Sequence, residues 1–197
     1  GIGGAFDADT GIANTGALLV VTQDNGSTNR ILIDCGHTCG AQLHALGMTY
    51  ADIDAVLVTH NHGDHIDGLE TLGYKSLFLH KRKVSVYAHQ TVLDETWKAL
   101  KPKMGILQVT AQGAINTQMD TYFDPRPVVQ ATDDLCPGVS AEFVEVSHVQ
   151  GMPCYGIIIR FDSGISMFWS GDCTFDPKSP ILAGSNPGDI IFHDCAM

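Results

Sequence analysis

The sequence is poor in cations. It carries 11 Lys and Arg against 22 Asp and Glu, a formal net charge of −11 over 197 residues. Holding a nucleic-acid backbone takes clustered Lys and Arg, so this balance argues against broad contact with one. No run of about 18 apolar residues occurs, which excludes a membrane-spanning helix and any membrane partner read from one. No basic stretch followed by an apolar one opens the chain, so no secretion signal is read. The six cysteines are scattered and none forms a Cys-x-x-Cys pair. They read as free buried thiols of a reducing compartment, which places the protein in the cytoplasm. Cys35-Gly36-His37-Thr38-Cys39 brings two thiols near an imidazole, but its spacing matches no standard zinc template. Internal repeats, low-complexity segments and an inter-domain linker are also missing.

What is present suffices for one large core. Hydrophobic residues make up 44%, which excludes a wholly disordered chain, and the length fits a single domain over residues 1–197. Short β-branched runs at 17–22 and 30–34, separated by a turn containing Asn25-Gly26, predict a hairpin. Strands are predicted at 53–58, 84–88, 141–146, 155–161 and 165–169, with weaker ones at 106–110 and 127–131. Helices are predicted at 41–46, at 68–79 despite Gly73, and at 90–100, where Pro102 is read as the stop. Strands, then helices among strands, then strands again predict an α/β layered sandwich. The apolar run 189–195 reads as a buried strand close to Met197, so the domain is read as continuing past the C-terminus, with a final strand-and-helix stretch outside the sequence.

Nine histidines are present, and three crowd one segment. The strand at 53–58 leads directly into Thr59-His60-Asn61-His62-Gly63-Asp64-His65. A helix would spread His60, His62 and His65 over different faces, so the segment reads as a loop around a ligand. Imidazole nitrogen and carboxylate oxygen suit zinc, manganese or iron. His60 and His62 on extended backbone point to one side and can share one cation, while Asp64 and His65 turn toward a second. Two cations a few ångströms apart lower the pKa of a water and clamp the attacking and leaving oxygens of a displacement. His148 closes the strand at 141–146, and Asp172 follows the strand at 165–169, so both are further candidate ligands at strand ends, with Asp172 able to bridge.

Taken in order, Ile33-Asp34-Cys35-Gly36, the segment Thr59 to Leu69, His148 with Tyr155-Gly156, and Ser170-Gly171-Asp172 resemble the metallo-β-lactamase fold superfamily. The resemblance implies a four-layer αββα sandwich with two divalent ions, zinc foremost, at the strand ends. It implies His60, His62 and His148 on one ion, Asp64 and His65 on the other, and Asp172 bridging. Asp34 would support the loop from behind. Within the superfamily the segment Gly63 to Leu69 is similar to tRNase Z and its phosphodiesterase relatives, as are Gly1–Phe6 with Asn14-Thr15. His193-Asp194-Cys195-Ala196 stands where they carry a His-Glu-Ala-Thr-like strand end, with Asp in place of Glu. The missing secretion signal and the different loop argue against β-lactamase activity.

Two departures matter. The tRNA-processing relatives carry a long protruding arm between the third histidine and the bridging aspartate, and here only 23 residues separate His148 from Asp172. The family's last metal-binding histidine and a second catalytic histidine have no counterpart after His193, so the chain reads as C-terminally incomplete. The resulting expectation is a di-metal hydrolase, foremost a phosphodiesterase opening a small phosphodiester such as a cyclic nucleotide. Asp64 would orient the attacking water or take its proton, and His193 would protonate the leaving oxygen. His193 is also weighed as a direct ligand. The alternatives are a tRNA 3′-processing endonuclease, a lactonase or thioesterase, and an inactive metal-binding scaffold. The resemblance further implies a homodimer. His37, His44, His80 and His89 are isolated, and the basic run His80 to Lys83 reads as a solvated helix end in preference to a phosphate grip.

Overall fold

The computed structural model describes residues 13–111, 113–174, 176 and 189–194. The N-terminal hairpin forms as predicted: β1 (Ala17–Thr22) and β2 (Thr28–Ile33) pair antiparallel. Then come α1 (Cys39–Ala45), a 3₁₀ turn at Tyr50–Asp52, β3 (Ala55–Leu57), α2 (Gly63–Ile66) and α3 (Gly68–Phe78). After these come β4 (Val84–His89), α4 (Gln90–Met104), the hairpin β5 (Ile106–Thr110) and β6 (Gly113–Asn116), α5 (Met119–Tyr122) and β7 (Phe123–Val128). The last strands are β8 (Ala131–Cys136), β9 (Val139–Glu145), β10 (Tyr155–Phe161), β11 (Ser166–Trp169) and β12 (Ile190–Phe192).

These strands make two five-stranded sheets, ordered β1-β2-β3-β4-β7 and β12-β11-β10-β9-β8, beside the small β5-β6 ribbon. One continuous core joins the sheets. Ile31, Ile33, Val56, Leu57 and Val86 of the first belong to it together with Ala141, Phe143, Ile157 and Ile159 of the second, all nearly inaccessible. At about 25 cal/mol per Å² of apolar area, a core of this size is the main force holding the layers together. Helix α4 lies on the first sheet through Val92, Leu93, Thr96, Leu100 and Met104, a 3.6-residue stripe.

The topology explains why functional groups converge. β2, β3 and β4 are mutually parallel, so Asp34, Thr59-His60 and His89 emerge at one edge of the first sheet. β9 and β11 both run antiparallel to β10, and β12 runs parallel to β11, so the segments leading to His148, Asp172 and His193 leave one edge of the second. A backbone hydrogen bond from Tyr155 N to Thr59 O (3.1 Å) ties the two edges together. Carboxyl ends of strands are where open α/β sheets place their ligands.

Several sequence expectations are corrected. Pro102 does not stop α4, which runs on to Met104. Proline's fixed φ suits a helix, and Pro102 sits on the exposed face of the last turn, where one lost hydrogen bond costs least. Segment 60–65 is a loop only as far as His62, after which Gly63–Ile66 makes one helical turn that carries Asp64 and His65. Among the described residues, the run at 190–192 is an edge strand, not a buried one, with Ile190, Ile191 and Phe192 each 42–50% exposed. β7 begins at Phe123 and ends at Val128, ahead of the predicted 127–131, while β3 is shorter than the predicted strand at 53–58. Gly73 is tolerated inside α3 because a Cβ there would lie 2.7 Å from the Phe123 ring. Arg82 of the basic run is half-buried and not free to grip a phosphate, since its guanidinium donates to the carbonyls of Ala51 and Ile53. The expected first strand at Gly1–Phe6 lies outside the described residues.

Candidate metal centre

Asp34 is the pivot. It follows β2 with φ of +61°, a left-handed conformation that Asp tolerates better than most residues. Its side chain is fully buried. Oδ1 accepts from Thr59 N (2.8 Å), and Oδ2 accepts from Thr59 Oγ1 (2.8 Å) and His65 Nδ1 (2.8 Å). The next residues pack on the histidine turn without any gap. Cys35 N donates to His65 O (2.7 Å), Gly68 N donates to Cys35 O (2.8 Å), and a Cβ on Gly36 would sit 1.8 Å from Asp64 O. The Asp-Cys-Gly segment is therefore a bed for the turn that carries Asp64 and His65.

These bonds fix the ring states. The Thr59 hydroxyl gives its one hydrogen to Asp34, so its contact with His60 Nδ1 (3.1 Å) requires His60 to donate. His60 Nε2 then carries a lone pair, aimed at His62 Nδ1 3.0 Å away. His148 Nε2 approaches the same His62 nitrogen to 3.2 Å. One nitrogen with at most one hydrogen cannot satisfy both neighbours, whereas a cation among them accepts all three lone pairs. His65 behaves alike: Nδ1 is committed to Asp34, while the buried Nε2 has no hydrogen-bond partner and lies 3.4 Å from both Asp64 Oδ2 and Asp172 Oδ2. His148 Nε2 is 3.8 Å from Asp172 Oδ2.

Two groups of ligand atoms result. His60, His62, His148 and Asp172 form one, and Asp64, His65 and Asp172 the other, each with its atoms within 4.8 Å of one another. Asp172 belongs to both. The electrostatics agree. Burial opposes charge on His65, yet Asp34, Asp172 and Asp64 together hold its imidazole up to about 12. Burial and the neighbouring His65 push His60 down to about 4. His65, with Nε2 3.4 Å away, holds Asp64 below the usual carboxylate range. Burial opposes charge on Asp172, but His65, His60 and His148 outweigh it and hold that carboxyl low as well. A knot of carboxylates that retains a proton so firmly is a place where positive charge is needed, and a divalent metal site fits it. Asp172 and His148 are each 23% exposed, which leaves one face open to solvent.

Six predicted residues therefore meet. His193 does not join either group. Its Nε2 lies 3.9 Å from Cys173 Sγ, beside a cleft lined by Glu145, Ser147 and Thr174. The residues after Asp172 are held by this strand end, since Cys173 N donates to Asp194 Oδ2 (3.2 Å) and Asp194 N to Ser170 Oγ (2.8 Å). The sequence reading missed Thr59 and Thr96, the latter in contact with Asn61. Thr59 adjoins the first histidine and Thr96 interrupts an apolar helix stripe, which were the available signals.

The family profile of the anti-Pycsar protein Apyc1 matches residues 1–197. The chain belongs to the Apyc1 family. Among curated Apyc1 proteins, one from Paenibacillus sp. (strain J14) is 34% identical over 199 residues, covering 100% of this chain and 75% of its own length. Another from Paenibacillus harenae is 29% identical over 174 residues, covering 85% and 66%. The Apyc1 of Bacillus phage BSP38 is 28% identical, covering 99% and 74%. The chain thus spans from 58% to 75% of the length of such relatives. Among solved structures, the metallo-β-lactamase fold protein YhfI from Bacillus subtilis aligns with a TM-score of 0.63 at 19% identity, covering 89% of this chain and 61% of that one. Human tRNase Z, short form, aligns at 0.57 and 18%, covering 87% and 66%. These likenesses establish the metallo-β-lactamase fold expected from the sequence.

Proposed function

We propose that this Apyc1-family chain is a di-metal phosphodiesterase that opens a small phosphodiester such as a cyclic nucleotide. The observation that carries the reading is the pair of ligand groups sharing Asp172. We assign His60, His62 and His148 to one cation, Asp64 and His65 to the other, and Asp172 to both, with zinc as first choice over manganese and iron. Two such cations supply a water of lowered pKa and neutralise charge on phosphoryl oxygens.

The chain's own residues do the rest. Asp64 is held ionised and can orient the attacking water or take its proton. Asp34 and Thr59 keep His65 and His60 in the tautomers that face the centre. His193 is assigned to protonate the leaving oxygen, supported by its place at the end of β12, one strand over from Asp172.

Two observations favour a small substrate over tRNA. The interval from His148 to Asp172 is largely taken up by β10 and β11, leaving no length for an arm. The net charge of −11 repels a long phosphate backbone. All five described cysteines are free thiols, which supports a cytoplasmic setting. No helix of the described residues is long and apolar enough to cross a membrane. A homodimer is proposed on the family resemblance alone.

The test is a substrate panel with the zinc- or manganese-loaded protein: 3′,5′-cyclic nucleotides, bis-(p-nitrophenyl) phosphate, a tRNA precursor, a lactone and a thioester. Ring opening to the nucleoside monophosphate is expected to dominate. A kcat/KM higher on the lactone, the thioester or the tRNA precursor would replace this reading with the corresponding one.

A further inference from the structure

Between His60 and His62 stands Asn61, which belongs to neither ligand group. Extended backbone sends alternate side chains to opposite sides, so the two imidazoles face the centre and Asn61 faces away. It reaches helix α4, where its Oδ1 position lies 2.6 Å from Thr96 Oγ1. Thr96 is wholly buried, and its hydroxyl also lies 2.7 Å from Val92 O. A buried hydroxyl among Val92, Leu93, Leu100 and Met104 contributes little to an apolar stripe, and it costs stability unless it is bonded.

The hydrogen count sets the direction of this contact. A hydroxyl has one hydrogen, and two carbonyl-type oxygens at 2.6 and 2.7 Å cannot both accept it. The same placement leaves Asn61 Nδ2 buried with no hydrogen-bond partner. Amide oxygen and nitrogen have nearly the same shape, and exchanging them resolves the conflict. Asn61 Nδ2 then donates to Thr96 Oγ1, which donates to Val92 O. The unsatisfied buried atom becomes an amide oxygen, whose lack of a partner is the more tolerable case.

We infer that Asn61 and Thr96 form a positioning latch, in which the Asn61 amide donates to the Thr96 hydroxyl and so fixes the backbone that aims His60 and His62. The latch rests on the metal-site reading above. It is a second support, independent of Asp34: Asp34 and Thr59 hold His60 from the strand side, while Thr96 holds the peptide between the two histidines from the helix side. Small rotations of that peptide would separate Nε2 of His60 from Nδ1 of His62, atoms now 3.0 Å apart.

The test uses cobalt(II) as the probe, read by visible absorption and by competition with a chelator. Thr96→Val keeps the branched shape and removes the hydroxyl. Asn61→Leu keeps the size and removes the amide. Thr96→Ser keeps the hydroxyl. Cobalt affinity is expected to fall about 10-fold in Thr96→Val and in Asn61→Leu, with altered ligand-field bands, and to stay within about 2-fold of the parent in Thr96→Ser. Parental affinity and bands in Thr96→Val overturn the latch. Should that variant not fold, parental behaviour in Asn61→Leu overturns it equally. A parent chain that binds no cobalt overturns the metal reading itself, and with it the latch, so the two failures are told apart by the parent alone.

Discussion

Asp172→Ala is expected to lower phosphodiester hydrolysis by at least about 10³-fold, equivalent to about 4 kcal/mol of lost transition-state stabilisation. The size follows from its place in both ligand groups, with Oδ2 3.4 Å from His65 Nε2 and 3.8 Å from His148 Nε2. Removing His148 would strip one group and spare the other, whereas removing Asp172 weakens both. Its loss also takes a negative charge from a site where positive charge must be held. Asp172→Asn separates these effects, because it keeps one oxygen and loses the charge. Steady-state kcat and KM on bis-(p-nitrophenyl) phosphate check the expectation. Activity within 10-fold of the parent would remove Asp172 from the bridging role.

Asp34→Ala is expected to cost about 4 kcal/mol of stability. Three buried donors lose their acceptor at once: Thr59 N, Thr59 Oγ1 and His65 Nδ1. Each unsatisfied buried group costs about 1–3 kcal/mol, and alanine at a φ of +61° adds strain that aspartate tolerates. A loss of that size is a large part of the 5–15 kcal/mol typical of a folded domain. Asp34→Asn keeps an acceptor and the tolerance for positive φ, so it should lose about half as much. Urea denaturation of the metal-free proteins measures both, and metal-free protein is required because bound cations would add their own stabilisation. A loss below about 1 kcal/mol in Asp34→Ala would show that the buried carboxylate does not hold the histidine loop.

That these six side chains converge was readable in the sequence. His60, His62, Asp64 and His65 declared themselves because they follow an apolar strand without a break, and a strand end is where a side chain meets both backbone support and solvent. His148 and Asp172 were readable for the same reason at β9 and β11. Other features rest on contacts that no local pattern encodes. Thr96 looks like an ordinary lapse in an apolar stripe until α4 is docked against the His60–His62 loop, 35 positions earlier in the chain. The helical turn at Gly63–Ile66 was hidden because it is too short for any periodicity, and it forms where Cys35 N and Gly68 N tie it to the Asp34 loop. Pro102 misled because a proline's cost depends on which turn it occupies. The strand at 190–192 misled because three apolar residues in a row look alike whether they line a core or a sheet edge.

The central claim is a two-cation site built from six side chains. Elemental analysis of the purified chain, loaded with zinc and dialysed free of excess, tests it most directly. The account predicts two ions per chain. One ion or none in the folded parent would contradict it.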